Sequence, residues 1–192
     1  MRIAKITRKT KETDIELELN LDGNGKRNIK IGVGFMEHML ELFAVHGNFD
    51  FDLKCVGDTM VDDHHTVEDI GICLGKAISE ALSDKKGIKR YSSVTIPMDE
   101  ALSTVTIDLS GRPYLVYNVR VSGKSGNFDV ELIEEFFRAV STYGGITMHM
   151  NTLYGNNNHH VVESLFKAFS RALSEASRIV SDKIPSSKGV LE

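Results

Sequence analysis

The pentapeptide His64-His65-Thr66-Val67-Glu68 returns as His159-His160-Val161-Val162-Glu163, and each copy opens a segment with helical periodicity. The polar stretches ahead of them, Met60-Val61-Asp62-Asp63 and Gly155-Asn156-Asn157-Asn158, read as loop and helix-cap material. Val67, Ile70, Leu74 and Ile78 mark the apolar face of one helix; Val162, Leu165, Phe166, Phe169 and Leu173 mark the other. On a helix, positions i and i+4 share a face, whereas i+1 points about 100° away. His64 and Glu68 can therefore grip one ion, while His65 reaches for a second. His159 and Glu163 repeat the pair, with His160 as the divergent ligand. Two copies related by an approximate two-fold would give each of two metals a His/Glu pair from one copy and a lone His from the other.

The repeat extends beyond the motif. Residues 1–7 and Asp14–Leu21 read as strands. The turn Asp22-Gly23-Asn24-Gly25 predicts a hairpin returning through Asn28–Ile31. A helix near 35–46, ended by Gly47, is followed by a strand through Phe49, Phe51 and Leu53 and by the first motif helix, to about Leu82. The second half gives strands at Tyr91–Ile96, Ser103–Leu109 and Tyr114–Val121 and a helix over 129–143 stopped by Gly144-Gly145. A strand through Ile146, Met148 and Met150 follows, then the second motif helix, to about Val180. Each half is strand-strand-strand-helix-strand-helix, and internal duplication is the simplest account. The expected fold is α+β: two four-stranded sheets with four helices packed between or against them. We read one domain of two repeats, about 1–86 and 87–182, with a polar tail over 183–192.

A net charge of -4 gives no basic excess for nucleic acid. No apolar run approaches the roughly 20 residues needed to span a bilayer, and Met1–Ile6 alternates like a strand rather than a signal peptide. Cys55 and Cys73 have no metal-type spacing; they read as buried thiols in a reducing, cytoplasmic setting. All seven histidines (His38, His46, His64, His65, His149, His159 and His160) fall in or near the segments above.

A single His-His-x-x-Glu is more often a solvated helix start than a metal site. Two copies at equivalent places in a repeat argue for metal. Imidazole and carboxylate ligands suit Zn, Fe, Ni or Mn, and the lack of thiolates argues against a structural zinc. His38, on the first short helix, and His149, on the polar face of its strand, can complete the shells; His149 faces outward and suits a site shared between subunits. Four protein ligands per ion leave open positions on a six-coordinate metal, as a Lewis-acid catalyst needs. Arg90, Arg112 (in Ser110-Gly111-Arg112-Pro113) and Lys188, after Ser186-Ser187, can clamp a phosphate, although singly each is an ordinary surface charge. Glu12 is by default a loop carboxylate, and Asp99-Glu100 is a weak acid/base candidate in a turn.

Several spaced blocks resemble the imidazoleglycerol-phosphate dehydratase family over essentially the whole chain. They are Arg8-Lys9-Thr10-Lys11-Glu12-Thr13, Gly34-Phe35-Met36-Glu37-His38-Met39-Leu40, Asp62-Asp63-His64-His65-Thr66-Val67-Glu68-Asp69, Gly111-Arg112-Pro113, Asn158-His159-His160-Val161-Val162-Glu163, Phe166-Lys167-Ala168 and Ser186-Ser187-Lys188-Gly189. Glu37 stands where the family commonly has Asp, and Ser164 where Ala is common. The resemblance implies a dimanganese lyase of histidine biosynthesis. One Mn2+ would take His38, His65, His159 and Glu163, and the other His64, Glu68, His149 and His160. It further implies substrate contacts at Glu12, His46, Arg90, Arg112, Ser186, Ser187 and Lys188, the last five around the phosphate, with metal-bound His38 beside the substrate. It implies a 24-subunit homo-oligomer with active sites shared between neighbours.

The implied chemistry is demanding, because the proton to be removed sits on a carbon with no adjacent carbonyl. Two metals on the ring nitrogens would favour the imidazolate, as metal lowers the pKa of bound water. The electron-rich ring can then expel the hydroxyl, giving a diazafulvene-like intermediate whose C–H is acidic enough for Glu12 to deprotonate. Two rival readings stay open: a dimetal hydrolase with a bridging hydroxide, and a metal-assembled structural cage without turnover. Dehydration differs from hydrolysis in yielding a ketone that keeps its phosphate.

Overall fold

The computed structural model describes residues 1–189 and Leu191; Val190 and Glu192, at the end of the expected tail, lie outside the described residues. Period-two alternation builds the first sheet. In β1 (Ile3–Lys9), β2 (Thr13–Asn20) and β4 (Asp50–Gly57), alternate residues such as Ile15, Leu17, Leu19, Phe51 and Leu53 are buried. β1 and β4 flank β2 antiparallel, and β3 (Arg27–Lys30) runs parallel to β4, so the order is β1-β2-β4-β3.

The expected hairpin between Asp14–Leu21 and Asn28–Ile31 is thus corrected: β4 lies between its arms. The start of β4 captures the turn, because an Asp50 carboxylate oxygen accepts the backbone N–H of Asn24 at 2.9 Å and of Lys26 at 3.1 Å. A Cβ at Gly23 would stand 2.2 Å from the Asp50 nitrogen, so only glycine lets the turn wrap so tightly.

The second sheet repeats this plan. β5 (Tyr91–Met98), β6 (Ala101–Asp108) and β10 (Thr147–Tyr154) are antiparallel neighbours, and β7 (Tyr114–Asn118) lies parallel to β10, giving β5-β6-β10-β7. A small ribbon of β8 (Lys124–Ser125) and β9 (Phe128–Asp129) was not expected. It delays the following helix, which begins at Leu132 rather than 129.

Four helices fill the space between the sheets. α1 (Gly34–Gly47) and α2 (His64–Leu82) belong to the first sheet, α3 (Leu132–Gly144) and α4 (Asn158–Ser177) to the second. α2 packs on β1, β2 and β4 and meets α3; α4 packs on β5 and β6 and meets α1. α1 ends at Asn48, in the left-handed conformation (φ 56°), rather than through Gly47 itself. α4 stops at Ser177, short of Val180, because Ile179 leaves the helix to bridge Ile88.

α2 and α3 approach closely. A Cβ on Gly71 would lie 2.7 Å from the Phe136 carbonyl oxygen, and one on Gly75 2.9 Å from that of Val140. Stacked Phe43–Phe169 and Phe136–Phe166 pairs tie the helix layer together, each buried ring contributing roughly 1.5–3 kcal/mol. Cys55 and Cys73 are free and buried, as expected, with burial pushing their thiols up to about 12 and about 11. No helix among the described residues is long and apolar enough to cross a membrane.

Candidate active site

The start of α4 is set by Asn157, whose side chain accepts the His159 N–H at 2.9 Å. One turn later Glu163 comes under His159, with Oε2 3.2 Å from Nε2. α1 lies against this face and brings His38 Nε2 to 3.3 Å from the same oxygen. The entry to α1 is pinned by Glu37, which accepts the backbone N–H of Ile31 at 2.7 Å and of Gly32 at 3.0 Å. Candidate ligand atoms of His38, His159 and Glu163 all lie within 4.8 Å of one another. Phe35 packs edge-on against the His159 ring. Burial opposes ionisation of Glu163, but hydrogen bonds from Lys167, His38 and His159 outweigh it and hold the carboxyl below its ordinary value.

The start of α2 is set likewise: Asp62 Oδ1 accepts the His64 N–H at 2.8 Å. His64 Nε2 then stands 3.7 Å from Glu68 Oε2. His65 turns away, with Nδ1 3.0 Å from Asp58 Oδ2 and Nε2 3.9 Å from Glu12 Oε1. The Asp58 carboxylate raises the pKa of His65. Glu12 is carried on the β1–β2 turn, where Thr10 Oγ1 accepts the N–H of Glu12 and Thr13. The hairpin is tied to α2 by buried Asp69, which accepts hydrogen bonds from Arg8 and Thr13.

His160 shows the same pattern in the second half. Its Nδ1 lies 2.6 Å from Glu100 Oε2, and its Nε2 3.7 Å from Asp99 Oδ2, both on the β5–β6 turn. Glu100 raises the His160 pKa, and hydrogen bonds from His160 and the Asn157 N–H lower Glu100 to about 2. One chain therefore gathers His38, His159 and Glu163, and separately His64 and Glu68. His65 and His160 are held at their own turns, and His149 is exposed on β10. The i+1 direction sends each divergent histidine away from its own i,i+4 pair.

A third group lies at the end of the second sheet. Arg90, Arg112, Ser186, Ser187 and Lys188 line one cavity of about 360 Å3. Arg90 Nε donates to Asp108 Oδ1 at 2.7 Å, while its Nη1 donates to the Pro185 carbonyl at 2.7 Å and seats the tail. Arg112 Nη2 is 3.9 Å from Asp108 Oδ2. Beside these cations, burial lowers the pKa of Lys85. His46 sits apart on the last turn of α1; burial lowers its pKa, helped by Lys167 and Arg171 of α4. Sequence reading missed Asp58 and Lys167 as partners of site residues, and Asp69 as the anchor of the hairpin that carries Glu12. The i,i+4 spacing of Lys167 from Glu163 was a usable signal; Asp58 and Asp69 meet their partners only through the fold.

The family model described as imidazoleglycerol-phosphate dehydratase matches residues 31–173. The chain belongs to the imidazoleglycerol-phosphate dehydratase family. It is 57% identical to the curated imidazoleglycerol-phosphate dehydratase of Thermodesulfovibrio yellowstonii over 191 residues, covering 100% of both chains. A crystal structure of the Staphylococcus aureus imidazoleglycerol-phosphate dehydratase matches with 43% identity and a TM-score of 0.83, over 91% of this chain and 97% of that one. The Pyrococcus furiosus IGPD, solved in complex with (S)-C348, matches with 36% identity and a TM-score of 0.86, over 97% and 100%. The chain is thus a dehydratase, a lyase of histidine biosynthesis acting on a small molecule, with the mixed α+β fold of its imidazoleglycerol-phosphate dehydratase relatives.

Proposed function

We propose that this dehydratase converts D-erythro-imidazole glycerol phosphate to imidazole acetol phosphate at a two-manganese site shared between subunits of a 24-subunit assembly. It works in the cytoplasm as a single domain of two repeats, about 1–86 and 87–182, with the tail 183–192. The observation that carries the metal site is the convergence of His38, His159 and Glu163, with ligand atoms within 4.8 Å of one another. Two imidazoles and a carboxylate without thiolates fit manganese.

One ion would be held by His38, His159 and Glu163 with His65 of a neighbouring subunit. The other would be held by His64 and Glu68, completed by His160 and His149 from other copies. When bound, such ions supply Lewis acidity, lowering the pKa of the substrate's imidazole N–H and favouring departure of the neighbouring hydroxyl. The hydroxyl leaves as water with the proton given up by the ring N–H; Glu12, on its braced hairpin, takes the carbon-bound proton and returns it to the ring nitrogen, and the enol so formed ketonises to the product. Arg90, Arg112 and Lys188, with Ser186 and Ser187, hold the phosphate, so that remote binding energy fixes the reacting carbon. His46 completes the substrate contacts.

The test is Glu12→Gln. It keeps metal and substrate-analogue binding and lowers turnover by roughly 100-fold or more, the usual range for a general base. Near-normal turnover would remove Glu12 from the mechanism. Product analysis of the wild type should show a ketone that retains its phosphate; released inorganic phosphate would favour a hydrolase.

A further inference from the structure

We propose that Glu100 is a positioning residue that holds the His160 ring with its proton on Nδ1, so that Nε2 is the nitrogen offered to metal. The inference rests on the two-metal reading above. Both oxygens of Glu100 are committed: Oε1 accepts the backbone N–H of Asn157 at 2.9 Å and of Asn156 at 3.2 Å, and Oε2 lies 2.6 Å from His160 Nδ1. The two main-chain donors fix the carboxylate's orientation just ahead of α4. An ionised carboxylate only accepts, so its ring partner must be an N–H. A neutral imidazole has one N–H, which leaves the lone pair on Nε2. Among the described residues, the nearest carboxylate oxygen to that nitrogen is 3.7 Å away, on Asp99, beyond hydrogen-bond reach.

His65 repeats the arrangement through a different element. Its Nδ1 lies 3.0 Å from Asp58 Oδ2, just after β4, and its Nε2 stands 3.9 Å from Glu12. Both divergent histidines thus have Nδ1 on a carboxylate and Nε2 clear of one. A partly exposed histidine at a helix start, without such a partner, samples both tautomers. Outer-shell carboxylates on ligand imidazoles are typically worth 10–100-fold in metal affinity.

The test is Mn2+ titration of wild type, Glu100→Gln and Glu100→Ala at pH 8 and one subunit concentration, reading free Mn2+ by its EPR signal. In Glu100→Gln the amide oxygen still accepts the Asn156 and Asn157 N–H groups, but the amide NH2 then faces Nδ1 and drives the proton to Nε2. We expect Glu100→Gln to weaken one of the two ions by roughly 10–100-fold, with the metal-free melting temperature unchanged. Binding within about threefold of wild type in Glu100→Gln, with loss confined to Glu100→Ala, would make Glu100 a loop anchor only and overturn the proposal. A wild type that binds no Mn2+ would sink the metal-site reading, and this proposal with it, an outcome distinct from the previous one. Should Glu100→Gln not fold, solid-state 15N NMR of histidine-labelled, metal-free wild type decides, with His160 assigned by difference against His160→Gln. An Nδ1–H tautomer is expected; Nε2–H would overturn the proposal.

Discussion

Within one chain His38, His159 and Glu163 converge, while His65 is held at Asp58 and Glu12. On the metal assignment proposed above, a whole site needs two copies, and damaged copies should repair one another. We consider co-expression of Glu163→Gln and His65→Ala chains with different tags, keeping only assemblies that carry both. Glu163 is only 9% exposed at its side chain, so the isosteric Gln preserves packing, while His65 is open enough for Ala to cost little stability. Each parent assembly lacks a direct metal ligand in every site, so each should lose more activity than the 10–100-fold typical of outer-shell partners. In a mixed assembly, a site is intact when the copy supplying the converged triad carries His65→Ala and the copy supplying His65 carries Glu163→Gln. With equal, random incorporation each condition is met half the time, so about a quarter of sites are whole. The expected result is about a quarter of the wild-type kcat per subunit, with KM unchanged. Activity no higher than the summed parents, in assemblies proven to contain both tags, would refute the shared site.

Three further outcomes are expected. Asp69→Ala removes two charge-assisted hydrogen bonds from a buried carboxylate and strands Arg8. Discounted for the partial exposure of Arg8, the loss is about 2–4 kcal/mol, or roughly 5–15 °C in Tm by calorimetry; a Tm within a degree of wild type would show the anchor to be idle. Arg112→Ala should weaken phosphate-bearing ligands by roughly 10–100-fold, the worth of a charged hydrogen bond, and leave phosphate-free imidazoles unaffected; equal weakening in calorimetric titrations would remove the phosphate role. Burial lowers the folded pKa of His46 below its ordinary 6.5. Its contribution is therefore full above 6.5 and fades as pH falls toward the folded value, where the unfolded chain takes the proton first. Urea midpoints of metal-free protein should fall more between pH 7.5 and pH 5 for wild type than for His46→Gln; parallel lines would contradict this.

Local spacing carried most of what the sequence revealed. Alternation marked β2 and β4, and the periodicity after each motif marked α2 and α4, because burial on one face imposes those periods. The pairing of β3 was not legible: the Asp22–Gly25 turn signals a reversal, but it does not show that β4 will enter between the arms. β8 and β9, two residues each, are too short to show a period. At the site, the i,i+4 pairs were visible because one helix determines them. His38 was offered by the sequence as a ligand to complete a shell, but its arrival beside Glu163 depends on α1 packing against α4, and only the family resemblance paired the two. Asp58 and Glu100 meet their histidines through tertiary placement, with no spacing to announce it.

The two halves share one strand order, and each brings a hairpin-tip glutamate to the second histidine of its motif: Glu12 to His65, and Glu100 to His160. The hydrogen bonds around the two glutamates differ, and the difference separates their uses. In the first half Asp58 already occupies His65 Nδ1, so Glu12 faces Nε2 across 3.9 Å with a side chain that is 53% exposed. In the second half Glu100 itself occupies His160 Nδ1 and also accepts two main-chain N–H groups, which lowers its pKa to about 2. A carboxylate so strongly acidic is a poor proton acceptor at neutral pH, since a general base works best with a pKa near the working pH. A carboxylate that is to take a proton from carbon needs an uncommitted oxygen and room to approach substrate. Of the two equivalent tips, the one carrying Glu12 meets that requirement, and the one carrying Glu100 is built to hold a ring still.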